Sequence, residues 1–294
     1  MSVRTEIQNN LETRGGIISE LDKECRIVRL RIPGGIITPE QLIAVGKAAK
    51  KIGIDTVHLT IRQTIEIPHV PFGKIPGLLR DLEKQEVFLG AEYEEVVNIT
   101  ACPGTERCRF SIIDTRNILL QLDKNHHGRN MPIRIRIAIS SCPNGCTSER
   151  ASEIGITGLR TPIRNEGLCT GCGTCAHTCK EKAIIMVNGR LHLDEALCVN
   201  CGMCIDSCPF HIIKGHPPRY MITVGGRRGR HMVQGRELIV VDSEEKAVAV
   251  VERVIDWIYR FAYSGKFLTD QMDAMKFSDF QKRIQRDFPS FTKE

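Results

Sequence analysis

Residues 132–146 read PIRIRIAISSCPNGC. The first part alternates strictly: Ile133, Ile135, Ile137 and Ile139 fall on one side, and Arg134, Arg136 and Ala138 on the other. A period of two is the pattern of a strand with one face turned to a core. The second face of this strand carries two guanidiniums, and its end delivers the chain directly to Cys142 and Cys146. Those two thiols need a reason to be there.

The chain has 13 cysteines. Its opening, MSVRTEIQNNLETRGG, is polar with no apolar signal core, which predicts a cytoplasmic protein. Reducing compartments keep thiols free, so metal ligation is the better default than a disulfide framework. Eight of the cysteines form two runs, CTGCGTCAHTC at 169–179 and CVNCGMCIDSCP at 198–209, each spaced C-x2-C-x2-C-x3-C. Three closely spaced thiolates hold three corners of a cubane on one tight loop, and the fourth crosses to the other cluster. One cluster is thus assigned to Cys169, Cys172, Cys175 and Cys208, the other to Cys198, Cys201, Cys204 and Cys179. Gly171, Gly173 and Gly202 allow positive φ and close backbone approach to sulfide. Paired CxxC units also build structural zinc sites, which is the competing reading. Cys179 departs from the usual pattern in being followed by Lys180 instead of proline.

Four more cysteines form two outlying pairs, Cys102-x5-Cys108 in ACPGTERC and Cys142-x3-Cys146 in SCPNGC. Each pair follows a strand-like segment and sits in a Pro/Gly turn, where thiols face a cleft more readily than a core. A four-thiolate site built from two loops would suit a third cubane; the bland alternative is free core thiols. Cys25 is left over and reads as a buried structural thiol.

Composition narrows the class. Hydrophobic residues make up 41% and charged residues 26% of 294, which describes a soluble globular chain with room for one large or two smaller domains. No run approaches the length of a membrane span. The net charge of +6 is mild and scattered, without the basic, aromatic-interleaved runs of a nucleic-acid binder. It suits an anionic cofactor or substrate as well as an ordinary surface. The glycines of VGGRRGR at 224–230 lack dinucleotide spacing, so no NAD or flavin module is expected.

Along the chain, 26–32 reads as a strand. TPEQLIAVGKAAKKIG then reads as a helix with Thr38 as N-cap, Pro39 at N1, Gln41 completing a capping box and Gly53 past the end. Strands in DTVHLT and TIEI and a short helix near 76–86 complete a βαββα unit of α+β type. A helix is expected over 109–122. Residues 164–215 look like an insertion rich in Cys and Gly with little periodic structure. Strands RYMITVGG and ELIVV follow. A helix over 244–263, ended by Gly265, carries Val248, Val251, Ile255, Ile258 and Ala262 as a core stripe. His126, His127, His211 and His231 read as surface or loop histidines.

C-x5-C followed by C-x3-C resembles the signature of siroheme-dependent sulfite and nitrite reductases. The segments TIRQT at 60–64 and PIRIRIAISSC at 132–142 resemble two further family segments. A ferredoxin module inserted after the second pair is similar to the anaerobic sulfite reductase C subunit and the dissimilatory sulfite reductase subunits. The resemblance covers roughly 25–270. It implies a nitrite/sulfite reductase-like α+β half-unit with an inserted bacterial-type ferredoxin domain. The domains would be 1–94, a ferredoxin-like α+β N-terminal domain; 95–163 with 216–294, the siroheme/[4Fe–4S] domain; and 164–215, the 2[4Fe–4S] insertion.

The resemblance also implies that Cys102, Cys108, Cys142 and Cys146 hold a [4Fe–4S] cluster, with Cys146 bridging to siroheme iron. Arg62 would face substrate, with Thr60 and Gln63 on the cofactor side of the same segment. Arg134 and Arg136 would occupy the family's two lysine positions, keeping charge but hindering proton donation. Val97 stands approximately where a second substrate arginine is usual. Arg107, Arg109, Arg116 and Arg150 lie near the pairs, and Arg109 and Arg116 are chosen as neutralisers of siroheme carboxylates.

The expected cofactors are siroheme and three [4Fe–4S] clusters. The expected activity is six-electron reduction of sulfite to sulfide, with nitrite reduction and a siroheme-free multi-cluster electron carrier as alternatives. Electrons would come from ferredoxin or a partner reductase subunit. Because the family pairs two half-units around siroheme, a homo-oligomer or a complex with a related subunit is expected.

Overall fold

A computed structural model describes residues 15–289. The polar opening segment, residues 1–14, lies outside the described residues, as do the last five.

The first unit is a four-stranded antiparallel sheet of β1 (Ile17–Ser19), β2 (Cys25–Arg29), β3 (His58–Leu59) and β4 (Ile65–Pro71), in the order β1-β2-β4-β3. Helices α1 (Pro39–Lys51) and α2 (Ile75–Glu83) cover it. The Thr38 hydroxyl accepts from Gln41 N while the Gln41 side chain accepts from Thr38 N, so the expected capping box is present. Val28, Leu30, Val45, Ile67, Leu78 and Leu82 are the buried centre of this unit. Cys25 is only half-buried, because it opens β2 instead of lying within it; the expectation of a buried thiol fails there.

The second unit is a five-stranded mixed sheet. Its strands are β5 (Thr100–Ala101), β6 (Ile137–Ser140), β7 (Ile154–Leu159), β12 (Arg219–Val224) and β13 (Arg236–Val241), in the order β13-β12-β7-β6-β5. The pairs β5–β6 and β6–β7 are parallel, and the rest antiparallel. All four isoleucines of the alternating segment are buried. Only Ile137–Ser140 joins the ladder, however, and Ile135 makes an isolated bridge to Val96.

Helix α3 spans Thr115–His126, later than the expected 109–122. Asp114 caps it, accepting from Arg116 N and Asn117 N, so the residues after Cys108 stay in turns. Helix α6 (Glu244–Phe261) is capped by Ser243 and ends at Ala262, short of Gly265. Its predicted stripe packs into a large core with Trp257, Phe277 and Phe280. Two C-terminal helices, α7 (Leu268–Gln271) and α8 (Phe277–Asp287), had no sequence expectation. Trp257 and Phe280 stack with ring centroids 4.7 Å apart. His126 and His127 are buried at the end of α3, contrary to their reading as surface histidines.

Between β7 and β12 the chain leaves the sheet. Strand β8 (Pro162–Ile163) pairs with β11 (Lys214–Gly215), and between them lie α4 (Thr174–Thr178), the hairpin β9 (Ile184–Val187) and β10 (Arg190–Leu193), and α5 (Met203–Ser207). This stretch is thus more regular than its composition suggests. A small cluster of Ala183, Ile184, Leu191, Leu193, Ile205 and Ile213 is buried together with Cys175 and Cys208. Among the described residues no helix is long and apolar enough to cross a membrane.

Candidate cluster and anion site

The parallel pairing of β5 with β6 sets Ala101 beside Ile139, so the chain leaves both strands at one edge, just before Cys102 and Cys142. Cys102 N donates to Ile139 O at 3.0 Å, and the Cys102 sulfur accepts from Ser141 N at 3.1 Å. The Asn144 amide donates to Cys142 Sγ at 3.4 Å. Burial, with the Cys102 and Cys108 thiols nearby, pushes the Cys142 thiol up. N–H donors aimed at sulfur suit thiolates sharing a polynuclear cluster. Cys146 lies exposed on the following turn, after Gly145 in the left-handed region at φ 65°.

In the excursion, Cys169, Cys172, Cys175 and Cys208 line one small cavity with Met186, Leu191, Ile212 and Ile213. Cys179 and Cys198 lie near enough to Cys201 to help raise its thiol, after burial. Burial pushes Cys204 up to about 12, with Cys201, Cys198 and Cys175 adding to it. Thiols this unfavourable to ionise need a cation to become ligands, which fits an iron cluster. Among the described residues no three or more His, Cys, Asp or Glu side chains gather as they would around a single metal ion.

The TIRQ turn reaches this region from the first unit. Thr60 Oγ1 lies 3.1 Å from Thr64 Oγ1 and accepts from Arg62 N and Thr64 N, shaping the turn. Gln63, at φ 58°, donates to Ala101 O at 2.8 Å and accepts from Ala101 N at 2.9 Å. Asn98 donates to Arg62 O at 2.7 Å. The turn is therefore fastened to the backbone that leads into Cys102.

Arg62 and Arg134 converge on Glu92, together with Arg29 of β2; Arg134 lies 3.1 Å from it. Burial, then Arg29, Arg134 and Arg136, pushes Arg62 down to about 10. Arg136 is held by Glu153 through Nε at 2.8 Å and Nη2 at 2.5 Å, and that bond raises it. Arg134, Arg136, Glu153 and Arg228 line a cavity of about 1110 Å³, with Arg26 and Lys266 adding positive charge. Glu94 and Glu95 line it too, so five cationic side chains face three carboxylates and the cavity suits an anionic ligand. Arg109 is exposed, with its guanidinium 4.6 Å from the Phe110 ring centroid, and Arg116 pairs with exposed Glu106. Val97 is fully buried and contributes no charge.

Sequence reasoning missed Glu92, Arg29, Glu153 and Arg228. Glu92 and Glu153 look like surface carboxylates in AEYEE and ASEIG, and only the fold shows what they face. Arg228 sits in the VGGRRGR run, whose glycines draw attention to phosphate binding alone; it donates to Thr147 O at 2.6 Å.

Comparison with known proteins identifies the family of the chain. The model of the nitrite and sulphite reductase 4Fe-4S domain matches residues 92–288, and that of the nitrite/sulfite reductase ferredoxin-like half domain matches 20–85. A coenzyme F420-dependent sulfite reductase of Methanocaldococcus jannaschii is 31% identical over 85% of this chain, which spans only 42% of that relative. An anaerobic sulfite reductase subunit of Salmonella typhimurium is 28% identical, over 80% of this chain and 74% of its own. The crystal structure of dissimilatory sulfite reductase I superposes on 95% of this chain and 77% of its own, with a TM-score of 0.72 at 18% identity. With its two family segments accounting for most of the described residues, the chain belongs to the nitrite and sulphite reductase family.

Proposed function

We propose that this chain is the catalytic half-unit of a sulfite reductase, reducing sulfite to sulfide by six electrons. The observation that carries the reading is the guanidinium cluster of Arg62 and Arg134, fastened through Gln63 to the strand that leads into Cys102. An electron carrier has no use for such a convergent cationic pocket.

In this reading Cys102, Cys108, Cys142 and Cys146 hold a [4Fe–4S] cluster, and Cys146 also ligates siroheme. Siroheme would supply the iron that binds the substrate sulfur and passes it electrons one at a time. Arg62, Arg134 and Arg136 balance the substrate's charge and stabilise oxygen as S–O bonds break. Arg62, lowered to about 10 by burial and by its neighbouring arginines, still carries its charge at neutral pH and acts on the anion as a cation. The two ferredoxin-type sets, Cys169, Cys172, Cys175 and Cys208, and Cys198, Cys201, Cys204 and Cys179, hold the clusters that relay electrons from an external donor. Residues 1–94, 95–163 with 216–294, and 164–215 act as the three domains of this machine. A second half-unit, from another copy or a related subunit, completes the pocket.

The test is an anoxic absorption spectrum with cofactor extraction and an iron count, on protein from a host able to make siroheme. Siroheme with iron for three cubanes supports the reading; cubane absorption without tetrapyrrole sinks it and leaves an electron carrier. Steady-state turnover with sulfite and with nitrite, using a low-potential donor, then separates the two anions.

A further inference from the structure

We propose that Glu92 is an internal counter-ion that holds the arginine cluster in the absence of substrate and is displaced when a small oxyanion enters, so that it sets the affinity for substrate. The identity of the anion rests on the functional reading above.

Three guanidiniums from distant segments, Arg29, Arg62 and Arg134, meet one carboxylate. The Glu92 side chain is only 12% exposed, so little water screens the cluster. Arg29 and Arg136 also hold carboxylates of their own, Glu66 and Glu153. Four guanidiniums meet three carboxylates, and the buried carboxylate of Glu95, which accepts from Glu92 N, lies beside them, so an incoming anion meets unpaired positive charge as Glu92 leaves.

Glu92 and the more exposed Arg134 are the members least tied to regular structure. Arg29 lies on β2, and the turn carrying Arg62 is pinned by Gln63 and Asn98. Glu92 lies instead in an irregular connection between the isolated bridges at Leu89 and Glu95, followed by exposed Tyr93 and Glu94. A small oxyanion presents to the guanidiniums the same pair of acceptor oxygens as a carboxylate. Substrate and Glu92 therefore compete for the same donors, and the carboxylate keeps these donors oriented between turnovers. Glu92 is a positioning residue in this account, acting through the arginines.

The experiment is a calorimetric titration of sulfite into the oxidised holoprotein without reductant, for wild type, Glu92→Gln and Glu92→Asp. Removing the competing carboxylate should tighten sulfite binding about tenfold in Glu92→Gln. Sulfite should also raise the melting temperature of that variant more than that of wild type. Glu92→Asp keeps the charge but cannot reach all three guanidiniums, so it should tighten binding by less, and net charge cannot explain its gain. If folded Glu92→Asp binds sulfite no more tightly than wild type, the proposal is overturned, whether or not Glu92→Gln folds. A variant that only loses stability, with no gain from added sulfite, points to a purely structural carboxylate and overturns it too. Tighter binding by both variants in a protein that never turns sulfite over would keep the competition and defeat the functional reading instead.

Discussion

Gln63 holds Ala101 by both backbone groups, donating to its carbonyl at 2.8 Å and accepting from its N–H at 2.9 Å. Two segments 38 residues apart are joined as if by a short strand pair, one residue from Arg62 on one side and one residue from Cys102 on the other. The turn carrying Arg62 and the turn carrying Cys102 are thereby held in one frame.

Replacing Gln63 with Ala leaves both Ala101 groups without partners at a half-buried joint. The expected loss of stability is about 2 kcal/mol, read by chemical denaturation. The Michaelis constant for sulfite should rise more than the turnover number falls, since the arginines lose their frame before the cluster loses its ligands.

Cys142→Ala should remove the central cluster while sparing the others. Iron should fall by about five atoms per chain, four from the cluster and one with the tetrapyrrole, and the ferredoxin-type absorption should be kept. Loss of all cluster iron together would refute independent sites.

Gly158 on β7 has no room for a side chain: a Cβ there would lie 2.2 Å from Ser141 O, the carbonyl just before Cys142. Gly158→Ala is expected to cost about 3 kcal/mol and to lower iron content, because the strand can relax only by pushing the Cys142 turn outward. Thermal melting beside an iron assay reads both effects. Gly53→Ala has open space but φ 88°, so it should lower stability through backbone strain alone and leave iron unchanged.

His127 gives a pH dependence. Full burial pushes its imidazole down to about 3, helped by Arg31. The unfolded chain binds the proton near the ordinary pKa of about 6.5 and the folded chain does not. Stability is therefore undiminished above that value and is lost as pH falls toward 3. Asp123, raised by burial against the pull of Arg31, works the other way. His127→Leu should flatten the acid limb of the stability profile between pH 6.5 and 4, measured by denaturant titration at each pH. An unchanged limb would show that another group governs acid unfolding.

Local chemistry was legible in the sequence wherever a few adjacent residues determine it. The Thr38–Gln41 box, the period of two through Ile139 and the stripe of α6 all needed no tertiary partner to be read. Helix α3 began later than periodicity suggested because Asp114 is a stronger start signal than the residues that precede it. The β11 return and the β9–β10 hairpin were obscured by cysteine-rich composition. At the site, Arg62, Arg134 and Arg136 could be named from the resemblance, but Glu92 could not. Its meaning comes from residues 29, 62 and 134 arriving together, a coincidence in space with no local pattern.

The pairing of β8 with β11 sets Ile163 against Lys214 and Pro162 against Gly215. The cysteine-rich excursion thus departs from the sheet and comes back through one narrow doorway. Cutting it out and bridging the gap with a tight turn would leave β7 and β12 threaded as they are, at the loss of the Arg160 bonds to Asn200 and Asp206. The five-stranded sheet is in this sense a socket, and the wiring that plugs into it is replaceable.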